Sequence, residues 1–144
     1  MVDREAMNNL MAIGVGCRGN CPGAVIAELV SRTLEAWPAN LARPLVRVLF
    51  TIEDKRGEAG IGEAARALGI ELVFLSRAAL QDAMPRTRTR SVPAQQRFGV
   101  ASVAEAAALA GGGPNAVLIV PRISANDATC AIAADLSSSM DHQP

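Results

Sequence analysis

Aromatic residues are scarce in this chain, whose 144 residues include three phenylalanines, one tryptophan and no tyrosine. A core must therefore be built from aliphatic residues, and these are abundant, since half of all residues are hydrophobic. The scarcity also leaves few rings on which nucleic-acid bases could stack. Net charge is absent too, because 14 basic and 14 acidic side chains cancel. Without a global positive field, neither nucleic acid nor an anionic membrane is predicted as a partner.

Cysteine is rare as well, with Cys17, Cys21 and Cys130 as the only three. An odd number does not favour a disulfide framework, so a reducing compartment is expected. Three residues separate Cys17 from Cys21, rather than the two of zinc or redox motifs, and no metal or other cofactor is predicted. The acidic start of the chain and its short apolar runs argue against a signal peptide or a membrane span. The expected location is cytoplasmic.

Short apolar runs alternate along the chain with segments of helical spacing. Strands are predicted at residues 10–16, 46–52, 71–75, 116–120 and 129–133, and helices at 24–35, 58–68, 76–82 and 102–110. This alternation predicts a three-layer α/β fold, in which a mixed, mostly parallel sheet of about five strands carries helices on its faces. The link at 121–128 is too short for a parallel crossover, so the last two strands should form an antiparallel hairpin. Residues 84–98 are predicted to be a long loop.

The helix boundaries carry specific signals. Gly69 follows the second helix and is a standard helix stop. Ser102 precedes an alanine-rich helix, and Glu105 three residues later should complete a capping box. We predict one domain over residues 10–135, with flexible ends at 1–9 and 136–144.

The glycine-rich turn after the first strand is the strongest candidate for a ligand site. A strand that leads through glycines into a helix places free N–H groups at the positive helix end, a geometry that binds phosphate or carboxylate. Gly16 and Gly19 would let an anion approach the backbone, and Arg18 could grip a carboxylate with two hydrogen bonds. Cys17 lies between them, and a helix N-terminus would lower its pKa. The alternative is a tight turn with a solvated arginine.

The same glycines leave a nucleotide site as a weaker alternative. Gly14, Gly16 and Gly19 fit the Gly-x-Gly-x-x-Gly pattern of dinucleotide-binding proteins. However, Thr51 stands where the ribose-binding acid usually ends the second strand, and Glu53 follows just beyond. No Gly-Lys-Ser/Thr sequence follows the glycines either, so the turn is not a P-loop.

The turn after the second strand is a further candidate, because ligands of open α/β sheets bind beyond the carboxyl ends of strands. Thr51 could donate a hydrogen bond there, and Lys55 could pair with a carboxylate. Glu53 is a weak candidate for a general base, and the catalytic residues are otherwise unknown. The sole histidine, His142, lies in the tail and cannot be expected to activate a thiol. The alternative is an ordinary solvated charged turn.

Two more segments offer groups for an anion. The predicted loop carries four arginines and no acid between residues 86 and 97, and Arg88 and Arg90 in its middle could neutralise carboxylates. A mobile solvated loop is the alternative. Ser102 could present helix N–H groups to a ligand, although capping already explains this residue.

Four segments occur together in an informative order. They are Gly-Val-Gly-Cys-Arg-Gly at 14–19, Thr-Ile-Glu-Asp-Lys at 51–55, Gly-Val-Ala-Ser-Val-Ala-Glu-Ala-Ala-Ala at 99–108 and Thr-Cys-Ala-Ile-Ala at 129–133. Over about residues 11–133 the chain thereby resembles the family of CobE and the C-terminal domain of CbiG. The resemblance implies a role in cobalamin (vitamin B12) biosynthesis. It also implies an anionic precorrin-type tetrapyrrole as ligand, whose acetate and propionate groups the loops above could bind, and another pathway enzyme as a partner.

These observations lead to one preferred function and two alternatives. The preferred function is binding of a precorrin, as a carrier or as an accessory to a pathway enzyme. The first alternative is an enzyme that hydrolyses or rearranges a precorrin, with Glu53 as base. The second is a partner domain that binds no ligand. The longer CbiG opens a lactone and releases a two-carbon fragment, but this chain has no counterpart of the rest of CbiG, which argues against hydrolysis by this chain alone.

Overall fold

A computed structural model describes residues 9–90, 92–99 and 102–137. The strands are β1 Leu10–Cys17, β2 Val46–Ile52, β3 Glu71–Leu75, β4 Val117–Ala125 and β5 Ala128–Ala134, and the helices are α1 Gly23–Glu35, α2 Ala59–Leu68, α3 Arg77–Ala83, α4 Val92–Phe98 and α5 Val103–Gly112. Short 3₁₀ turns lie at Glu53–Lys55 and Met84–Arg86. The predicted flexible ends fall, at residues 1–8 and 138–144, outside the described residues.

The five strands form one mixed sheet in the order β3-β2-β1-β5-β4. β1 pairs with β2, and β2 with β3, in parallel, whereas β5 is antiparallel to both β1 and β4. Four strands therefore run in the same direction and β5 runs against them. This confirms the predicted α/β fold with its C-terminal antiparallel hairpin. As a consequence, the carboxyl ends of β1, β2, β3 and β4 share one edge of the sheet.

Alternation along β1 divides the core between the two faces of the sheet. Met11, Ile13 and Val15 pack in a cluster with residues of α1 and α2. Ala12 packs on the other face, with Phe50 of β2 and with residues of α5. The helices thus cover both faces, as the near-continuous apolar run in β1 predicts.

Gly14 allows α5 to lie directly against β1. A Cβ atom at this position would overlap the carbonyl oxygen of Ala104 and lie 2.6 Å from the amide nitrogen of Ala108. Both are backbone atoms of α5 and cannot rotate away. Gly14 is therefore explained by packing against α5, on the opposite face from α1, the helix that follows the glycine-rich turn.

Two expectations about the connections are wrong. Residues 84–98 are not a loop throughout, because they contain a 3₁₀ turn and α4, which buries only Phe98 and so shows no apolar periodicity. The link at 121–128 is mostly strand, because β4 continues to Ala125. Only Asn126 and Asp127 separate β4 from β5, and Asn126 adopts a positive φ of 54°.

The predicted helix-end signals are present, with one exception. Gly69 ends α2 with φ 67°, and the Ser102 hydroxyl accepts a hydrogen bond of 3.3 Å from the amide of Glu105. The side chain of Glu105 does not complete the expected capping box, because other backbone groups engage its carboxylate. Within the described ranges, no helix is long and apolar enough to cross a membrane.

Candidate functional site

A cleft of about 450 Å³ opens at the shared carboxyl edge of the sheet. Its floor is the end of β1 and the start of β5, one wall is α4, and the other is the β4–β5 hairpin. The N-terminus of α5 closes the inner end through Ser102 and Val103. The volume falls within the range of about 300–1,000 Å³ that is usual for small-molecule sites.

Positive charge dominates this cleft. Arg18 lines it from the floor, Arg97 from α4 and Arg122 from β4, whereas Asp127 is the only acidic residue among the described lining residues. The one ion pair found in the described part of the chain joins Arg77 to Asp54, so none of the three cleft guanidinium groups is held in an ion pair. The helix N-terminus adds a partial positive charge. The arrangement suits a ligand with several negative charges.

The first loop contributes side chains rather than free amides. Gly16, Cys17 and Arg18 line the cleft as expected, but Gly19 does not. The Arg18 amide donates a 2.8 Å hydrogen bond to the carbonyl of Asp127, and the Asn20 amide donates a 2.9 Å bond to the Glu58 carboxylate. These backbone groups are satisfied within the protein. An anion would meet the Arg18 guanidinium instead.

In the turn after β2, some side chains are buried and others are exposed. Thr51 is fully buried, and its hydroxyl donates a 2.7 Å hydrogen bond to the carbonyl of Val15. Its donor is therefore already used. Glu53 is exposed and lies outside the cleft lining, and Lys55 is 5% exposed and lies behind Phe98. Arg18 and Lys55 thus follow neighbouring strands at one edge of the sheet, but only Arg18 lines the cleft.

The central arginines of the predicted loop do not line the cleft. Arg88 and Arg90 are exposed, and neither belongs to the lining. Arg86 donates hydrogen bonds of 3.2 and 2.8 Å to the carbonyls of Gly113 and Ala116, so it holds the segment against the end of α5. Of the arginines in this segment, Arg97 lines the cleft.

Glu105 links both walls of the cleft from beneath. Its fully buried carboxylate accepts hydrogen bonds from the amides of Arg88 and Thr89 at 2.8 and 2.7 Å and from the Thr89 hydroxyl at 2.8 Å. A fourth bond, 2.9 Å long, comes from the amide of Arg122 in β4. Burial alone would raise the pKa of Glu105, but these hydrogen bonds outweigh it and the pKa is lowered. The carboxylate therefore joins the segment before α4 to the strand that carries Arg122.

Sequence reasoning missed the contribution of the hairpin. Arg122, Ser124 and Asn126 line the cleft from a stretch that we expected to be a plain link. The available signal was the predicted antiparallel pairing itself, since it requires the turn between β4 and β5 to lie at the carboxyl edge of the sheet. Phe98 was missed because it seemed to end a loop.

The pKa of the Cys17 thiol differs from the expected one. Burial raises its pKa to about 11, although the ammonium of Lys55 acts in the opposite direction. The expected lowering by a helix N-terminus is wrong, because Cys17 ends a strand and α1 begins only at Gly23. The thiol is therefore neutral at physiological pH and is a poor nucleophile.

We expect iodoacetamide to alkylate Cys17 roughly 10–100-fold more slowly than an unperturbed thiol at about pH 8, because few thiolates form. Mass spectrometry of the labelled peptide over a pH series would measure the rate, which should rise towards pH 11. Cys17→Ser is the control, since the remaining Cys21 and Cys130 are buried. Fast labelling near neutral pH that Cys17→Ser removes would contradict this prediction.

The fold and the cleft define an α/β protein with a basic cleft at the carboxyl edge of its sheet. Within the described residues, no group of three or more His, Cys, Asp or Glu side chains is placed to hold a metal ion. Residues 11–133 match the family described as "Cobalamin synthesis G C-terminus". The chain belongs to this family and is a cobalamin biosynthesis protein.

Individual relatives agree with this assignment. The chain is 31% identical to Protein CobE of Sinorhizobium sp over 123 residues, which is 85% of this chain and 79% of that protein. The crystal structure of CobE, a protein from the cobalamin (vitamin B12) biosynthetic pathway, matches with a TM-score of 0.75 and 36% identity over 86% of this chain and 89% of that one. The cobalamin biosynthesis protein chiG from Agrobacterium tumefaciens str. C58 matches with a TM-score of 0.62 and 26% identity, covering 86% and 97% of the two chains.

Proposed function

We propose that this protein binds an anionic precorrin-type tetrapyrrole in the cleft between α4 and the β4–β5 hairpin. The observation that carries the proposal is the convergence of Arg18, Arg97 and Arg122, from three separate elements, with no carboxylate partner among the described residues. A ring that bears acetate and propionate groups supplies several carboxylates at spaced positions, and guanidinium groups bind carboxylates well.

The role we propose is that of a carrier or of an accessory to another enzyme of the pathway. The candidate base Glu53 lies outside the cleft lining, and the thiol of Cys17 is neutral. Glu105 is occupied by four hydrogen bonds, so it has little capacity to accept a proton from a ligand. These observations favour binding over turnover. We place this role in the cytoplasm, in keeping with the free thiols of the three cysteines.

A titration followed by visible absorbance tests the proposal. Uroporphyrin is a suitable probe, because it carries acetate and propionate groups on a tetrapyrrole ring, and its methyl ester is an uncharged control. We expect saturable binding of the acid and much weaker binding of the ester. Equal binding of both, or of neither, would contradict the proposal. A pull-down from cobalamin-producing cells that captures a pathway enzyme, together with no tetrapyrrole signal, would instead favour a partner domain.

Arg18→Ala should weaken uroporphyrin binding by about 1–3 kcal/mol, or about 5- to 150-fold in Kd, because a charged hydrogen-bond pair is lost. The Arg18 side chain is exposed, so its removal should leave the free energy of unfolding nearly unchanged. Arg32→Ala is a matched control, since Arg32 is exposed in the last turn of α1, away from the cleft. Equal affinity of the Arg18→Ala variant and the wild type would remove Arg18 from the site.

A further inference from the structure

Lys55 is the only lysine among the 14 basic residues of the chain, and all the others are arginines. It is also one of the few charged residues that the fold buries, with 5% of its surface exposed. A buried ammonium group is unfavourable unless an anion or several hydrogen-bond acceptors surround it. The position of this single lysine therefore calls for a partner.

The neighbouring residues supply no carboxylate. The 3₁₀ turn that contains Lys55 also holds Glu53, which is exposed, and Asp54, which pairs with Arg77. Glu58, from the segment before α2, accepts the amide of Asn20. Throughout the described ranges, no carboxylate lies within the 4.0 Å that defines a salt bridge with the Lys55 ammonium group.

Two neutral residues of the cleft lining lie near the ammonium. The Nζ atom of Lys55 lies 5.7 Å from the centre of the Phe98 ring, and Phe98 lines the cleft. Lys55 also acts electrostatically on the thiol of Cys17, another lining residue, whose raised pKa keeps it uncharged. Lys55 itself does not line the cleft, but its ammonium group lies behind the Phe98 ring, which does.

Two further cations lie near the ring of Phe98. Besides Lys55, the guanidinium carbons of Arg77 and Arg97 lie 5.9 and 5.2 Å from its centre. Contact with an aromatic face stabilises a cation by a modest amount. Asp54 neutralises Arg77, which leaves Lys55 and Arg97 as two cations beside the same ring without a carboxylate.

We propose that Lys55 is a specificity-determining residue that anchors one carboxylate of the ligand behind Phe98, just beyond the cleft lining. The inference rests on the proposed function and defines its ligand class more narrowly. A buried ammonium group binds a carboxylate more strongly than the neutral carbonyl oxygen of an amide or an ester, because only the carboxylate brings a compensating charge. The ligand must therefore carry a free acid, on an arm flexible enough to pass Phe98, rather than an amide or an ester.

Because the chain contains a single lysine, nuclear magnetic resonance can observe Lys55 alone. Protein labelled with ¹³C-lysine gives the ε-methylene signals of one side chain, and these can be followed during titrations with propionate and with propionamide. We expect propionate to shift the signals in a saturable way and propionamide to leave them unchanged. Equal shifts with both compounds, or no shift with propionate, would overturn the proposal. The result does not depend on whether the protein binds a tetrapyrrole.

A variant gives a second, separate measurement. Lys55→Met keeps an unbranched side chain, shorter by one heavy atom, and removes the charge, so we expect uroporphyrin affinity to fall by at least about tenfold. Thermal stability should be unchanged or higher, because no ion pair of the described residues involves Lys55 and none is broken. Arg32→Met, which removes one charge far from the cleft, should change neither quantity.

The outcomes separate this inference from the function on which it rests. Uroporphyrin binding that is equal in the wild type and the Lys55→Met variant would overturn the role of Lys55 and leave the proposed function standing. A fall in thermal stability with no loss of affinity would assign Lys55 a structural role instead. If propionate shifts the lysine signals but the wild type binds no uroporphyrin, the carboxylate site is supported and the tetrapyrrole function is contradicted.

Discussion

Replacing Arg97 and Arg122 together by glutamine should weaken uroporphyrin binding by roughly 10²–10⁴-fold. The two side chains lie on opposite walls of the cleft, one on α4 and one on β4, so each can meet a different carboxylate of the ring. Because each loses a charge-assisted hydrogen bond of about 1.5–3 kcal/mol, the effects should be nearly additive. Visible absorbance or fluorescence titration would measure the dissociation constants.

The control for lost charge is the double variant Arg43→Gln and Arg66→Gln. Both arginines are exposed and outside the cleft lining, so the net charge changes equally while the cleft does not. Added salt should weaken uroporphyrin binding by the wild type more than binding by the Arg97 and Arg122 variant. The wild type has two more cleft charges for the salt to screen. An unchanged dissociation constant in the cleft variant would mean that the tetrapyrrole, if it binds, binds elsewhere.

The largest effect on stability is expected for Glu105→Gln, at about 2–4 kcal/mol in the free energy of unfolding. The carboxylate accepts four hydrogen bonds through its two oxygens, whereas glutamine has one oxygen and an amide that donates. At least one buried donor from Thr89 or Arg122 would then face another donor. Urea unfolding would measure the loss, with the exposed Glu28→Gln in α1 as control. An equal loss of unfolding free energy in both variants would contradict the structural role assigned to Glu105.

The stability contributed by Glu105 should depend on pH. Its pKa in the folded protein is lowered, so the contribution is complete above its pKa in the unfolded chain, about 4.3, and is lost as the pH falls through the lower folded value. The difference in unfolding free energy between the wild type and Glu105→Gln should therefore be largest near neutral pH and shrink on acidification. A difference that is constant with pH would contradict the ionised state of Glu105.

Much of the fold was predictable because local signals and tertiary structure agree. The buried strands, the stop at Gly69 and the hairpin all follow from patterns within short segments. α4 was not predictable, since seven residues with one buried side chain have no hydrophobic period. The role of Glu105 was concealed for a different reason. Its position fits a capping box, and only tertiary contacts with distant amides reveal where its side chain is used.

Some residues of the candidate site could also be predicted from the sequence, and others could not. Gly16, Cys17 and Arg18 could be placed at the cleft because they end a central strand, where ligands of α/β sheets bind. The predicted pairing places the β4–β5 turn at the same edge, but that Arg122 lines the cleft depends on the irregular register between β4 and β5. Residue type suggested Thr51 as a donor to a ligand, but its burial against Val15 depends on packing that no local pattern encodes.

Contact between Gly14 and Ala104 also bears on how related proteins could diverge. Where two main chains touch, the spacing of helix and strand does not depend on which side chains flank them. Substitutions along the walls can therefore change which ligand groups are recognised without altering how deep the cavity is. A homologue with alanine in place of Gly14 should have α5 displaced from the sheet, and its cavity should be correspondingly deeper.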